Sequence, residues 1–231
     1  MARVDLHTHS HFSRDSVLNP AAFVRRAEAA GLTHLAVTDH GGVEGAYAVR
    51  ELASCEVIIG QEVKTTAGEV LALFIEEAVA DGLSPGLATA RIRGQGGIVV
   101  AAHPFDVFRS SLGTSGLMEL GGALDAIEGY NGRSLLRGRE ARARLFAKEH
   151  GLPVTLGSDA HAPRELGRSW ADCPDFDGSA ELLHALDEAR YTTSRPAPWL
   201  LPSSGLARAR WLAGWRPPSL PSGGGSARQP S

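Results

Sequence analysis

The sequence predicts an α/β protein whose parallel strands curl into a distorted, closed barrel of about seven strands. Three observations lead there. Apolar, strand-like runs alternate with helix signals from residue 2 to about residue 190, the pattern of βα units in which helices cover parallel strands. Histidines and acidic residues stand at the C-terminal ends of most of those apolar runs, and that edge is where βα loops build a site. Side chains from so many strands converge on one point only if the sheet closes, which selects a barrel over an open doubly wound sheet. A strand count near seven follows from length, because the region is lean for eight units of roughly 30 residues each.

The elements follow in order. Val4 and Leu6 alternate with polar neighbours as a short buried strand does, and His7, His9 and His11 then recur with period two, on one face of an extended chain. Asn19 before Pro20 signals a helix start, and Gly31 stops that helix. LTHLAVTDH is an apolar strand ending in Asp39-His40, followed by a helix over roughly 43–53. EVIIGQEV is a buried strand ending near Glu62, and Ala67-Gly68 turns it into VLALFI. Ser84-Pro85 repeats the cap-then-proline signal ahead of a helix ending at Gly94. GGIVVAAHPF ends at His103-Pro104, ALDAIEGYN is a weaker strand ending near Asn131, and an Arg/Ala/Leu helix runs to His150 and Gly151. LPVTLGSDAH ends at Asp159 and His161, and Ser179 caps one more helix.

Composition bounds the function. The chain has 231 residues, 43% hydrophobic and 21% charged, enough for a full core. A formal net charge of −3 argues against a dedicated nucleic-acid binder. Cys55 and Cys173 have no metal-type spacing and are expected as free thiols in a reducing cytoplasm. With no apolar signal segment and no run of about 20 apolar residues, the expected location is cytoplasmic, without a membrane partner. Residues 1–195 form the expected barrel domain. Seven of the 13 prolines fall in 196–231, which ends SGGGSARQPS and is expected to be a disordered tail. Within that tail GLARARWLAGWR could form a short basic helix carrying Trp211 and Trp215, available to a membrane or a protein partner.

The residues at the strand ends are His7, His9, Asp15, His40, Glu62, His103, Asp159 and His161. All offer nitrogen or oxygen, a set suited to Zn, Mn or Fe and unlike a thiolate cage. Eight side chains are too many for one tetrahedral ion, so either several ions sit side by side or some residues play other parts. Arg133, just beyond Tyr130-Asn131, lies past a strand end on the site-bearing edge, where a guanidinium could take an oxygen of an anionic group such as phosphate bidentately. Arg137, Arg139, Arg142 and Arg144 are expected on a solvated helix face, and His11, His34, His150 and His184 outside the site. Asp5 and Asp39 are candidates for orienting ligating imidazoles.

DLHTHS with Asp15 following, then TDH, GQE, AHP and SDAH, in that order, resemble the PHP (polymerase and histidinol phosphatase) domain over about residues 2–195. The resemblance implies a distorted, TIM-like (β/α)7 barrel holding two or three divalent ions of Zn, Mn or Fe, and phosphoesterase activity. Carried over by motif, His7, His9, Glu62 and Asp159 would hold one ion. Glu62 would bridge to a second, also bound by His103, while Asp15, His40 and His161 would hold a third. This chain departs from many relatives where it has Glu69 instead of histidine. Glu69 either ligates the second ion and makes that site more negative, or points to water and leaves the site weak.

The resulting expectation is a metal-dependent phosphoesterase acting on a small phosphorylated metabolite or nucleotide. Two alternatives stand beside it. A C–N hydrolase of amidohydrolase type also uses H-x-H on its first strand and Asp on its last, but usually adds a bridging lysine, where this chain has Glu62 with Lys64 two residues on. The other is a non-catalytic metal-binding accessory module whose partner binds the tail.

Overall fold

The computed structural model describes residues 1–194 and 202–218. Strands β1 (Ala2–Asp5), β2 (His34–Val37), β3 (Glu56–Lys64), β4 (Glu69–Leu73), β5 (Ile98–Ala101), β6 (Ala126–Asn131) and β7 (Val154–Gly157) occupy the expected segments. Helices α1 (Pro20–Ala29), α2 (Glu44–Arg50), α3 (Pro85–Arg93) and α5 (Arg137–His150) alternate with them. Local chemistry explains their ends. The Asn19 side chain accepts from Ala22 N at 2.9 Å and Pro20 opens α1, and Gly151 takes the left-handed conformation, φ 64°, that ends α5.

Among the described residues one sheet runs in the order β7-β6-β5-β4-β3-β2-β1-β8-β9. β8 (Trp170–Cys173) and β9 (Arg190–Thr192) are only four and three residues long, and the sequence pattern did not reveal them. α4 (Gly113–Leu120) was not expected either. α6 (Ser179–Ala185) begins where expected, but Gly178 is its N-cap and no side chain caps it.

The expectation of uniformly parallel strands needs a correction at β4. It pairs antiparallel with both β3 and β5, whereas β1-β2, β2-β3, β5-β6 and β6-β7 are parallel. The cause is local: Thr65 Oγ1 accepts from Ala67 N and Gly68 N and donates to Gly68 O, closing a turn too short for a crossover. Reversal has a functional consequence. The first residue of β4, Glu69, lies at the rim where the parallel strands end.

The barrel is nearly closed. β8 covers the first half of the free edge of β1, and the seam is completed by the segments that follow β1 and β7. Leu6 N donates to Leu156 O at 3.1 Å, Asp159 N to His7 O at 2.7 Å and His9 N to Ala160 O at 3.0 Å. Strand alternation sorts the core into two layers. Val4, Leu6, Ala36, Ile58, Leu71, Leu73, Val100 and Leu156 cluster inside the barrel. Leu35, Val37, Val57, Ile59, Val70 and Val99 pack outward on Phe23, Val24, Ala46, Val49 and Ile92 of the helices.

Part of the expected tail, residues 202–218, is described. Residues 202–212 form helix α7 (Pro202–Leu212), carrying part of the basic segment, with Trp215 just beyond. The rest of that expectation, 196–201 and 219–231, lies outside the described residues. No helix among the described residues is long and apolar enough to cross a membrane.

Candidate metal centre

The strand ends bring the expected residues together. His7 and His9 follow β1, His40 follows β2, His103 follows β5, and Asp159 and His161 follow β7. Glu62 is two residues from the end of β3 and sits at the middle of the group. Its Oε2 lies 3.2 Å from His7 Nε2, 3.2 Å from His9 Nε2 and 3.5 Å from His40 Nε2. Its Oε1 lies 2.8 Å from His103 Nε2. Asp159 Oδ1 is 3.4 Å from His9 Nε2 and 3.8 Å from His7 Nε2. Asp15 faces His40 Nε2 at 3.7 Å and His161 Nε2 at 3.6 Å. Glu69 Oε2 is 3.8 Å from His103 Nε2. Three sets have ligand atoms close enough for one ion: His7, His9 and Asp159; His9, His40 and Glu62; and Glu62, Glu69 and His103. Glu69 therefore sits with the cluster. A Glu69→Gln variant is expected to lose about one bound ion per chain, counted by elemental analysis; an unchanged count would place Glu69 outside the ligand set.

Hydrogen bonding tests whether this group suits a cation. The carboxylate of Glu128 accepts from His7 Nδ1 at 2.8 Å. A neutral His7 then turns the lone pair of Nε2 inward, toward a carboxylate oxygen of Glu62 and the Nε2 of His9, 3.0 Å away. Acceptors facing acceptors in a buried site require positive charge between them. Asp15 Oδ1, also buried, has no hydrogen-bond partner. The imidazoles respond unequally: burial lowers His40 and His161, while carboxylate neighbours raise His7 and His9. Burial alone would lower His9, but hydrogen bonds to Asp159 and Glu62 raise it to about 9. His7 rises in the same way, against burial, under the fields of Asp159, Glu128 and Glu62. Burial opposes the charged form of Glu62, yet His7, His40 and His103 hold its carboxyl well below the usual range. Burial, reinforced by neighbouring Glu62, lifts Glu69 to about 7. The donor set and these orphaned acceptors fit divalent ions.

The backbone around the cluster is unusual. His103 and Asp159 are non-glycine residues at φ 27° and 53°, conformations that cost about 1–3 kcal/mol and persist only where surrounding bonds impose them. His103 N donates to Glu128 Oε2 at 2.7 Å, and Asp159 N to His7 O at 2.7 Å. Gly157 lets β7 approach: a Cβ there would stand 2.1 Å from His7 Cβ.

Asp5 and Asp39 have a different part from the one expected. Neither touches an imidazole. Asp5 accepts from Ser158 N at 2.8 Å and His7 N at 3.4 Å, and Asp39 accepts from Ser10 N and Ser10 Oγ at 2.6 and 2.5 Å. They shape the loops on which the histidines ride. Ring orientation comes from Glu128 for His7, from Ser13 Oγ for His9 Nδ1 at 3.4 Å, and from Asp159 O for His161 Nδ1 at 2.7 Å. Glu128 was missed in the sequence, although an acidic residue inside the apolar run AIEGYN was the available signal. Arg109 was missed too; it lies in a loop without periodicity and pairs its Nη1 with Asp159 Oδ2.

Above the cluster is a cavity of about 750 Å³. It is lined by expected ligands and by Arg14, Lys64, Arg109, Arg133 and Arg208. Arg133 is buried, with Nε 3.3 Å from Glu165 Oε1 and Nη1 donating to Ser204 Oγ at 2.9 Å. His11 stands outside the cluster, its ring 5.6 Å from that of Trp215. His34 packs on Phe176, and His150 and His184 bond to carbonyls of their own helices.

Comparison with known families agrees with this geometry. The PHP domain model matches residues 5–150, and the PHP-associated model matches residues 139–191. The chain belongs to the PHP domain family. A relative from Methanocaldococcus jannaschii, named uncharacterized protein MJ1587, is 33% identical over 142 residues, 56% of this chain and 81% of its own. Among solved structures, a two-domain protein from Bacteroides vulgatus, described as containing a predicted PHP-like metal-dependent phosphoesterase, superimposes with a TM-score of 0.68 at 20% identity. The match covers 89% of this chain and 69% of that one. An amidohydrolase from Chromobacterium violaceum with bound sulfate reaches 0.61 at 23% identity, over 85% of this chain and 99% of that one. These similarities confirm the distorted barrel of the PHP fold.

Proposed function

We propose that this PHP protein is a metal-dependent phosphoesterase that hydrolyses a small phosphorylated metabolite or nucleotide. The observation that carries it is Glu62, whose two carboxylate oxygens face separate histidine groups beneath a cavity rimmed by arginines. His7, His9, Glu62 and Asp159 would hold one ion, Glu62, Glu69 and His103 a second, and Asp15, His40 and His161 a third. Bound divalent ions would supply charge neutralisation for the phosphoryl group and acidify a water molecule toward neutral pH.

The chain's own residues supply the rest. Arg133 is fixed by Glu165 on one side and Ser204 on the other, so its guanidinium reaches the cavity with little freedom left to lose when it takes a phosphoryl oxygen. Arg109 stands on Asp159 as a second cation beside the reacting group. Glu128 keeps the His7 proton on Nδ1 and ties the His103 backbone, so two imidazoles hold their angle under one carboxylate.

The amidohydrolase neighbour makes C–N hydrolysis the competing reaction. Here the residue between the two groups is a carboxylate, Glu62, and the cavity mouth carries arginines, which suits a dianionic phosphate better than a neutral amide. Assay of the Mn-loaded chain on an aryl phosphate, an aryl phosphodiester and a cyclic amide decides the matter. Phosphoester cleavage is expected; amide opening without it would overturn the proposal.

A further inference from the structure

Helix α7 lies beyond the residues that match the PHP and PHP-associated models, yet it forms a wall of the cavity. Ser204, Arg208, Trp211 and Leu212 recur at helical spacing and all line the cavity, so one stripe of the helix faces the site. Polar contacts and a ring contact among the described residues hold it there. Arg133 donates to Ser204 Oγ at 2.9 Å, Arg208 Nη2 lies 3.2 Å from Asp15 Oδ2, and the ring of Trp215 packs on His11.

We propose that α7 completes the substrate pocket, with Arg208 contacting a phosphoryl oxygen and Trp211 receiving an aromatic alcohol group of the ester. This inference rests on the phosphoesterase reading and names its substrate class: aryl or similarly flat phosphate esters. The Arg208 side chain is 61% exposed, so its guanidinium contributes little to packing. Its partner Asp15 already faces two imidazoles. Once a cation occupies that carboxylate, a neighbouring guanidinium gains by turning to an anion, and a phosphoryl group offers the matching pair of oxygens. The same cavity is lined by Phe108 and Leu135, 70% and 51% exposed. Exposed apolar side chains beside a charged floor suit a ligand with one anionic end and one apolar end.

The test uses the full-length chain loaded with Mn. Orthophosphate is titrated calorimetrically, and 4-nitrophenyl phosphate and methyl phosphate are compared kinetically. Arg208→Ala is expected to weaken orthophosphate about tenfold and to raise KM for both esters by a similar factor, the size of one lost hydrogen bond to a charged group. Bound metal should be unchanged, and Arg208→Lys should recover part of the loss. Trp211→Ala should raise KM for the aryl ester and leave methyl phosphate unaffected. Unchanged orthophosphate affinity and KM in Arg208→Ala would overturn the proposal. So would a rise in kcat at constant KM, which would make the Arg208–Asp15 contact inhibitory, or a loss of bound metal, which would make it structural. Arg208-dependent orthophosphate binding in a protein that cleaves neither of these esters nor an aryl phosphodiester would support the contact while overturning the phosphoesterase reading alone.

Discussion

Glu62→Gln is expected to reduce phosphoester hydrolysis by at least about 10³-fold, roughly 4 kcal/mol of transition-state stabilisation. The substitution keeps the size of the side chain and removes its charge. One carboxylate oxygen now faces His7, His9 and His40 and the other faces His103. A neutral amide serves one side as a weak acceptor and presents N–H groups to the other, so it can no longer compensate two cations. Metal content should fall by at least one ion per chain. Initial rates and elemental analysis on the same preparation check both points, and near-normal turnover with fewer ions would contradict the central position given to Glu62.

Stripping the metal with a chelator should lower the stability of the whole barrel, beyond the loss of activity. Ions present at about a thousandfold excess over their dissociation constant stabilise the folded chain by about 4 kcal/mol, which for a chain of this size corresponds to a midpoint shift of about 10 °C. The physical reason lies in the buried cluster. Removing the cations leaves the carboxylates of Asp15, Glu62 and Asp159 crowded in a buried site, where burial opposes protonation of two of the facing imidazoles, His40 and His161. Thermal unfolding with and without EDTA, followed by restoration with Mn, measures the shift. An unchanged midpoint would mean that the cluster does not hold ions in the folded state.

Much of the site was legible because its residues mark strand ends. H-x-H after β1, Asp-His after β2, and Asp-x-His after β7 each place a ligand type where a parallel strand meets its loop, and periodicity located those strands. Glu62 and Glu69 were legible as residues, but the position of Glu69 at the rim depends on β4 running backwards. That direction is set by the short turn at Thr65–Gly68, which the sequence marks at Ala67-Gly68 but which the expectation of uniformly parallel strands left out of account. Glu128 was hidden because a single acidic residue in a weak strand reads as strand-end polarity until His7 and the His103 backbone are seen to meet it. Arg109 had no pattern to betray it, and β8 and β9, four and three residues long, are too short for alternation to stand out. The roles given to Asp5 and Asp39 failed for a geometric reason: neighbours of ligands in sequence bond the backbone of their own loops, while the rings are held by residues from other strands.

The seam between β1 and β7 carries a consequence for how the protein matures. The bonds joining His7, His9, Asp159 and Ala160 that zip the cylinder shut belong to the very segments bearing the imidazoles and carboxylates. Segments some 150 residues apart in sequence must therefore meet before the set His7, His9 and Asp159 exists, and an ion held by that set would act as a clasp across the seam.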